Sequence, residues 1–166
     1  MRGNQNPSIL DGIVKQENEF NTHDQVLILE ASDGKRTIGQ HPACYERVSG
    51  KFKDPLVNQP GKATPKLGVL VNDGRGNFFR HKNRDLLGSC LTQDNINHIC
   101  EIYPDKLVSS ARRNIFLFEE GGKFHFAIVC ILDGKLLIEY ADYEKGVLML
   151  LGKKHRSFVK VDIVTK

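Results

Sequence analysis

The sequence predicts an α+β fold built on a mostly antiparallel sheet. Three observations point there. Runs rich in β-branched and aromatic residues fill the second half of the chain, parted by short glycine-containing turns. Asp-Gly pairs sit between β-rich runs at 33–34, 73–74 and 133–134, which is a strong short-range hairpin signal. One stretch, residues 92–103, carries its apolar residues at helical spacing. The expected architecture is a C-terminal five-stranded meander preceded by that helix, with β-hairpins nearer the N-terminus.

Residues 1–24 are polar, and SILDGIVKQENEF within them offers only a short helix with poor apolar spacing. We take 1–24 as a polar N-terminal segment and 25–166 as a single α+β domain, long enough to bury a core. DQVLILEA and RTIGQ flank Asp33-Gly34 as a first hairpin. HPACYERVSGKF reads as a short helix, with Pro42 suited to its first turn and Gly50 to its end. DPLVNQPGKATPK, with three prolines and a glycine, is a loop. KLGVLVNDGRGNFFRH repeats the hairpin pattern around Asp73-Gly74. In TQDNINHICEIY, Ile96, Ile99 and Tyr103 share a face, Thr92 is placed to cap, and Pro104 ends the helix. NIFLFEE, KFHFAIVCIL, KLLIEYAD, GVLMLL and SFVKVDIV then supply the five strands of the meander.

Hydrophobic residues make up 40% and charged residues 27%, which excludes a disordered chain. The longest apolar run, near 126–132, is too short to span a bilayer. MRGNQNPSIL lacks the apolar core of a secretory signal. The expectation is therefore a cytoplasmic protein without a membrane partner. Four irregularly spaced cysteines, Cys44, Cys90, Cys100 and Cys130, read as reduced thiols rather than a disulfide scaffold. The net charge of +4 is too mild to announce nucleic acid by itself.

His125 is the residue that asks for an explanation, because it stands inside two apolar strands. If Asp133-Gly134 is a two-residue type I′ turn, Leu132 faces Lys135 and His125 lies directly opposite Asp142. Side chains so placed have Cβ atoms about 4.5–5.5 Å apart, within reach of an imidazole–carboxylate hydrogen bond. Such a pair is the orienter and base of a catalytic triad, or simply two polar groups satisfying each other at a sheet end. Two cysteines could add a nucleophile. Cys90 precedes the helix cap, and Cys44 lies at the start of the shorter predicted helix with Gln40 upstream. Cys130 points to the other face on this register, and Cys100 reads as core.

A cysteine at a helix start, followed by a strand opening with His and a neighbour ending in Asp, resembles the papain-like thiol peptidase arrangement. FHFAIVCILDGKLLIEYADYEKG is similar to the His–Asp hairpin of bacteriocin-leader peptidases and related cell-wall endopeptidases, over about twenty residues of this chain. The resemblance implies hydrolysis of a peptide or amide bond, with His125 as base, Asp142 as orienter and Cys90 or Cys44 as nucleophile. Its partner would be a peptide or protein substrate.

Two basic clusters suggest an alternative. RGNFFRHKNR carries Arg75, Phe78, Phe79, Arg80, Lys82 and Arg84, and GKKHRS adds Lys154, His155 and Arg156. Cations attract phosphates, and exposed rings stack on bases. A helix leading into an antiparallel meander with exposed His, Arg and Glu also looks like barnase- and RelE-type ribonucleases. That likeness implies a metal-independent ribonuclease acting on RNA, with His125 or His155 as acid, Glu139 as base and Arg156 on the phosphate. The third reading is a non-catalytic protein-interaction module. His41 with Cys44, and His98 with Cys100, are isolated pairs rather than metal-ligand sets, so no metal or cofactor is expected.

Overall fold

The computed structural model describes residues 25–74, 86–109, 112–150 and 154–161. The expected short helix within 1–24 and the 75–84 cluster lie outside them. Seven strands form one sheet: β1 (Gln25–Leu29), β2 (Tyr45–Val48), β3 (Leu67–Gly74), β4 (Asn114–Glu120), β5 (Lys123–Leu132), β6 (Lys135–Asp142) and β7 (His155–Val161), in the order β1-β3-β7-β4-β5-β6-β2. The helices are α1 (Leu86–Ser89), α2 (Gln93–Ile102) and α3 (Tyr143–Leu150). The α+β class stands, but the sheet is mixed: β4 pairs with β7, and β6 with β2, in parallel.

The expected five-strand meander is corrected at GVLMLL, whose residues 146–150 belong to α3. Leucine and methionine favour helix, and Tyr143, Gly146 and Val147 follow a helical repeat. The Tyr143 ring stacks on Phe126 at 5.5 Å. A Cβ at Gly146 would fall 2.3 Å from the Phe126 ring, so only glycine permits this approach. The helix carries the chain from β6 past β5 and β4, and β7 arrives parallel to β4, as a crossover requires.

The first of the two early hairpins does not form as expected, and the far arm of the second lies outside the described residues. Asp33-Gly34 does not return β1 onto RTIGQ. Gly34 has φ +74°, and a Cβ there would lie 2.1 Å from the Lys62 carbonyl oxygen, so the turn tucks against the proline-rich loop. Ser32 and Thr64 exchange backbone hydrogen bonds of 2.9 and 2.8 Å. Ile38–Gln40 is a 3-10 turn, and β1 pairs with β3 instead. Asp73 and Gly74 are the last two residues of β3, opposite Arg156 and His155 of β7. HPACYERVSGKF yields the edge strand β2 and a 3-10 turn, Gly50–Lys53, rather than a helix.

The helix expected at 92–103 is α2. The Thr92 hydroxyl accepts from Asn95 N while Asn95 Oδ1 accepts from Thr92 N, both at 3.0 Å, a reciprocal cap. Ile96, Ile99 and Cys100 enter a core with Phe116, Phe118, Ala127, Val129 and Ile138 on one sheet face. The opposite face holds Leu70, Ile115, Leu117, Phe126, Ile128 and Val159, against which α3 packs. Polar residues of α2 are buried but engaged. Asn97 accepts from the Tyr45 hydroxyl at 2.8 Å, and Asp94 accepts from Ser32 and Arg36 at 2.7 and 2.9 Å.

Candidate functional site

The expected register is present. Asp133 and Gly134 both have positive φ, 52° and 76°, as a type I′ turn demands. Leu132 pairs with Lys135, and His125 with Asp142. The two do not touch directly, because Tyr140 comes between them. His125 Nδ1 lies 2.5 Å from the Tyr140 oxygen, which donates to Asp142 Oδ1 at 2.9 Å. A phenol has a single proton. Since it goes to Asp142, the Tyr140 oxygen must accept from His125 Nδ1–H, which fixes the tautomer of the neutral ring.

The other ring nitrogen, Nε2, lies 3.4 Å from the Glu120 carbonyl oxygen. The ring sits between Phe118 and Tyr140, with centroids 5.2 and 5.3 Å away, and the residue is only 7% exposed. Burial pushes the imidazole pKa below its usual value, while the Glu120 carbonyl and the Asp142 carboxylate work the other way. Burial and Asp142 together raise the Tyr140 phenol. A protonated ring would donate from both nitrogens, whereas the neutral ring leaves Nε2 without a proton for the Glu120 carbonyl.

Glu120 completes the cluster. It alternates with Phe116 and Phe118 along β4 and so shares the face of His125. Glu120 pairs with Lys123, making His125 its diagonal neighbour, a separation of about 7–8 Å. Glu120 is 8% exposed, and its carboxyl accepts from Gln93 Nε2 at 3.2 Å. Burial, with a smaller contribution from Glu119, lifts its pKa to about 7 despite that hydrogen bond. Gln93 is itself pinned, accepting from Ile38 N at 2.9 Å and donating to Val57 O at 2.7 Å. Sequence reasoning missed Glu120 and Tyr140. The period of two along NIFLFEE and KLLIEYAD holds the signal for both.

The thiols do not join this cluster. Leu91 N bonds Leu117 O at 2.9 Å, and Cys90 packs against Leu117, Phe126 and their neighbours on the opposite sheet face from His125. Cys44 is beside Tyr45, which pairs with Leu136 near the start of β6, whereas His125 pairs with Asp142 at its end. Six residues of strand span about 20 Å. Burial and Glu101 lift the Cys44 thiol to about 11, opposite to an activated nucleophile. Gln40 uses its side-chain oxygen within its own turn, accepting from Thr37 N at 3.2 Å. The triad of Cys90 or Cys44 with His125 and Asp142 is therefore corrected to a His125–Tyr140–Asp142 array without a thiol.

The ribonuclease set is also dispersed. Glu139 pairs with Ile128 and faces away from His125. His155 is buried, at 1% exposed, and alternates with Ser157 and Val159 on the far face. Arg156 is committed to Asp73 through bonds of 2.7 and 2.9 Å and to the Lys106 carbonyl at 2.8 Å. Lys154 is exposed, while Arg75, Phe78, Phe79, Arg80, Lys82 and Arg84 lie outside the described residues. Among the described residues no three His, Cys, Asp or Glu side chains are grouped to hold a metal, and no helix is long and apolar enough to cross a membrane. Comparison with protein-family models, with curated proteins and with solved structures found no match.

Proposed function

We propose that the chain is a protein-interaction module in which the His125 array has a structural role. The observation that carries this reading is the enclosure of His125. Its ring is packed between two aromatic rings, both nitrogens face protein oxygens, and the cysteines lie elsewhere. Alkylation of each cysteine by iodoacetamide near pH 6, where an ordinary thiol of pKa about 8.5 hardly reacts, tests it. All four should react slowly, in wild type and in His125→Ala alike. A fast cysteine that depends on His125 would restore the thiol hydrolase.

One observation favours a second reading, an acid–base hydrolase without a thiol. Glu120 is raised to about 7 and His125 is lowered on the same sheet face, the pattern by which paired groups divide acid and base roles. Cleavage of single-stranded RNA across a pH series is its assay. Activity with a bell-shaped profile that Glu120→Gln abolishes would support it, and the absence of any cleavage would remove it.

A further inference from the structure

The sheet face away from His125 holds a cleft of about 430 Å³, lined in part by Arg47, Arg113, Ser49, Leu137, Ile128 and Glu139. Its volume is that of a small-ligand site. The register explains its chemistry. Arg47 of β2 pairs with Leu137 of β6, and Leu137 pairs with Cys130 of β5. Arg113 stands immediately before β4, near enough to the Cys130 thiol to oppose the rise that burial gives its pKa. One row across the sheet therefore reads Arg113, Cys130, Leu137, Arg47, with an arginine at each end and apolar side chains between. Three strand spacings separate the ends, about 14 Å between backbones. In the next row Glu139 lies beside Ile128.

Neither guanidinium has a carboxylate within ion-pair distance among the described residues. Arg47 is exposed and Arg113 half-buried, and arginines bordering an open, partly apolar cleft are suited to bidentate recognition of an oxyanion. Two arginines and one glutamate leave a single net positive charge. A carboxylate balances that charge, whereas a phosphate dianion would leave a negative charge uncompensated beside Glu139. β2 is also the outermost strand on this side of the sheet, so its outer backbone edge is placed to pair with an extended peptide.

We infer that this cleft binds an extended peptide through a carboxylate held between Arg47 and Arg113, with a neighbouring apolar side chain on Leu137. The assignment rests on the interaction-module reading and names its ligand class. The carboxylate can be a peptide C-terminus or an acidic side chain.

The test is a fluorescence-polarisation titration of the full chain with a fluorescein-labelled Thr-Val-Thr-Leu-Glu peptide. Its C-terminal amide, its Glu→Gln form and the peptide with both changes tell the two carboxylate sources apart. Saturable binding is expected, lost when both carboxylates are removed. Arg47→Ala and Arg113→Ala should each weaken it about fivefold or more, and Glu139→Gln should strengthen it. Circular dichroism checks that each variant keeps its fold, and Arg113→Lys retains charge while losing the bidentate fork. No saturable binding by wild type, or equal affinity in the double arginine variant, overturns the inference. Mass spectrometry of the recovered peptide reads the module hypothesis separately, because cleavage would refute that reading whatever the affinity.

Discussion

Glu120→Gln is the perturbation whose outcome the structure determines most tightly. The carboxyl is buried beside Gln93, and its pKa rises from 4.5 to about 7. At about 1.4 kcal/mol per tenfold change in proton affinity, the shift corresponds to about 3 kcal/mol. Between these two values the folded chain keeps the proton that the unfolded chain releases. Stability therefore falls as pH climbs through the window and levels off above about 7. His125, lowered by burial, contributes with the opposite sign, since its folded form is neutral where the unfolded imidazole is charged. Wild type alone would blend the two effects.

The difference between wild type and Glu120→Gln isolates the carboxyl. Glutamine removes the titration and keeps an oxygen for Gln93 Nε2. Urea unfolding at about pH 5 and about pH 8 should find the variant close to wild type at the lower pH and about 2–3 kcal/mol more stable at the higher one. A difference that does not change with pH would refute the reasoning, because Glu120 would then ionise freely in the folded state.

Two further outcomes follow from packing and hydrogen bonding. Gly146→Ala should destabilise by about 1–3 kcal/mol through overpacking against Phe126, although alanine is the better helix former; thermal melts should show Phe126→Leu relieving the loss. Tyr140→Phe keeps the ring and removes the oxygen between His125 and Asp142, and should cost about 1–3 kcal/mol by stranding a buried imidazole nitrogen. Asp142→Asn, at an exposed carboxylate, should cost less than about 1 kcal/mol in the same urea series.

What could be read from the sequence was local. The β5–β6 register followed from Asp133-Gly134 because a type I′ turn determines every pair behind it. The α2 cap followed from Thr92 and the isoleucine spacing. The same Asp-Gly signal misled at 33–34, where Gly34 is needed for close approach to Lys62 rather than for a hairpin. GVLMLL is an apolar run too short for periodicity to separate strand from helix, and the contact that needs Gly146 is with Phe126, twenty residues away. The His125–Asp142 opposition was legible, but the insertion of Tyr140 depends on side-chain reach. Glu120 ends the strand NIFLFEE beside Gly121-Gly122, a position that gives no sign of burial. Its burial comes from Gln93, 27 residues away. The separation of Cys90 from His125 is a matter of which side of the sheet a connection takes, and no local pattern encodes that.

The place of β7 has a consequence for assembly. It follows β1 through β6 in the chain, yet it stands third in the sheet, with β3 on one side and β4 on the other. During synthesis β1 and β3 can pair, and β4, β5 and β6 can pair, but no strand pairing joins the two groups until residues 155–161 have left the ribosome. Until then β3 and β4 each expose an unpaired edge, the kind of surface that recruits other chains. Closure also brings together residues far apart in sequence, which slows folding. Nascent chains halted before β7 should therefore be a chaperone's substrate, and a stop codon at His155 should produce aggregate rather than a smaller folded protein.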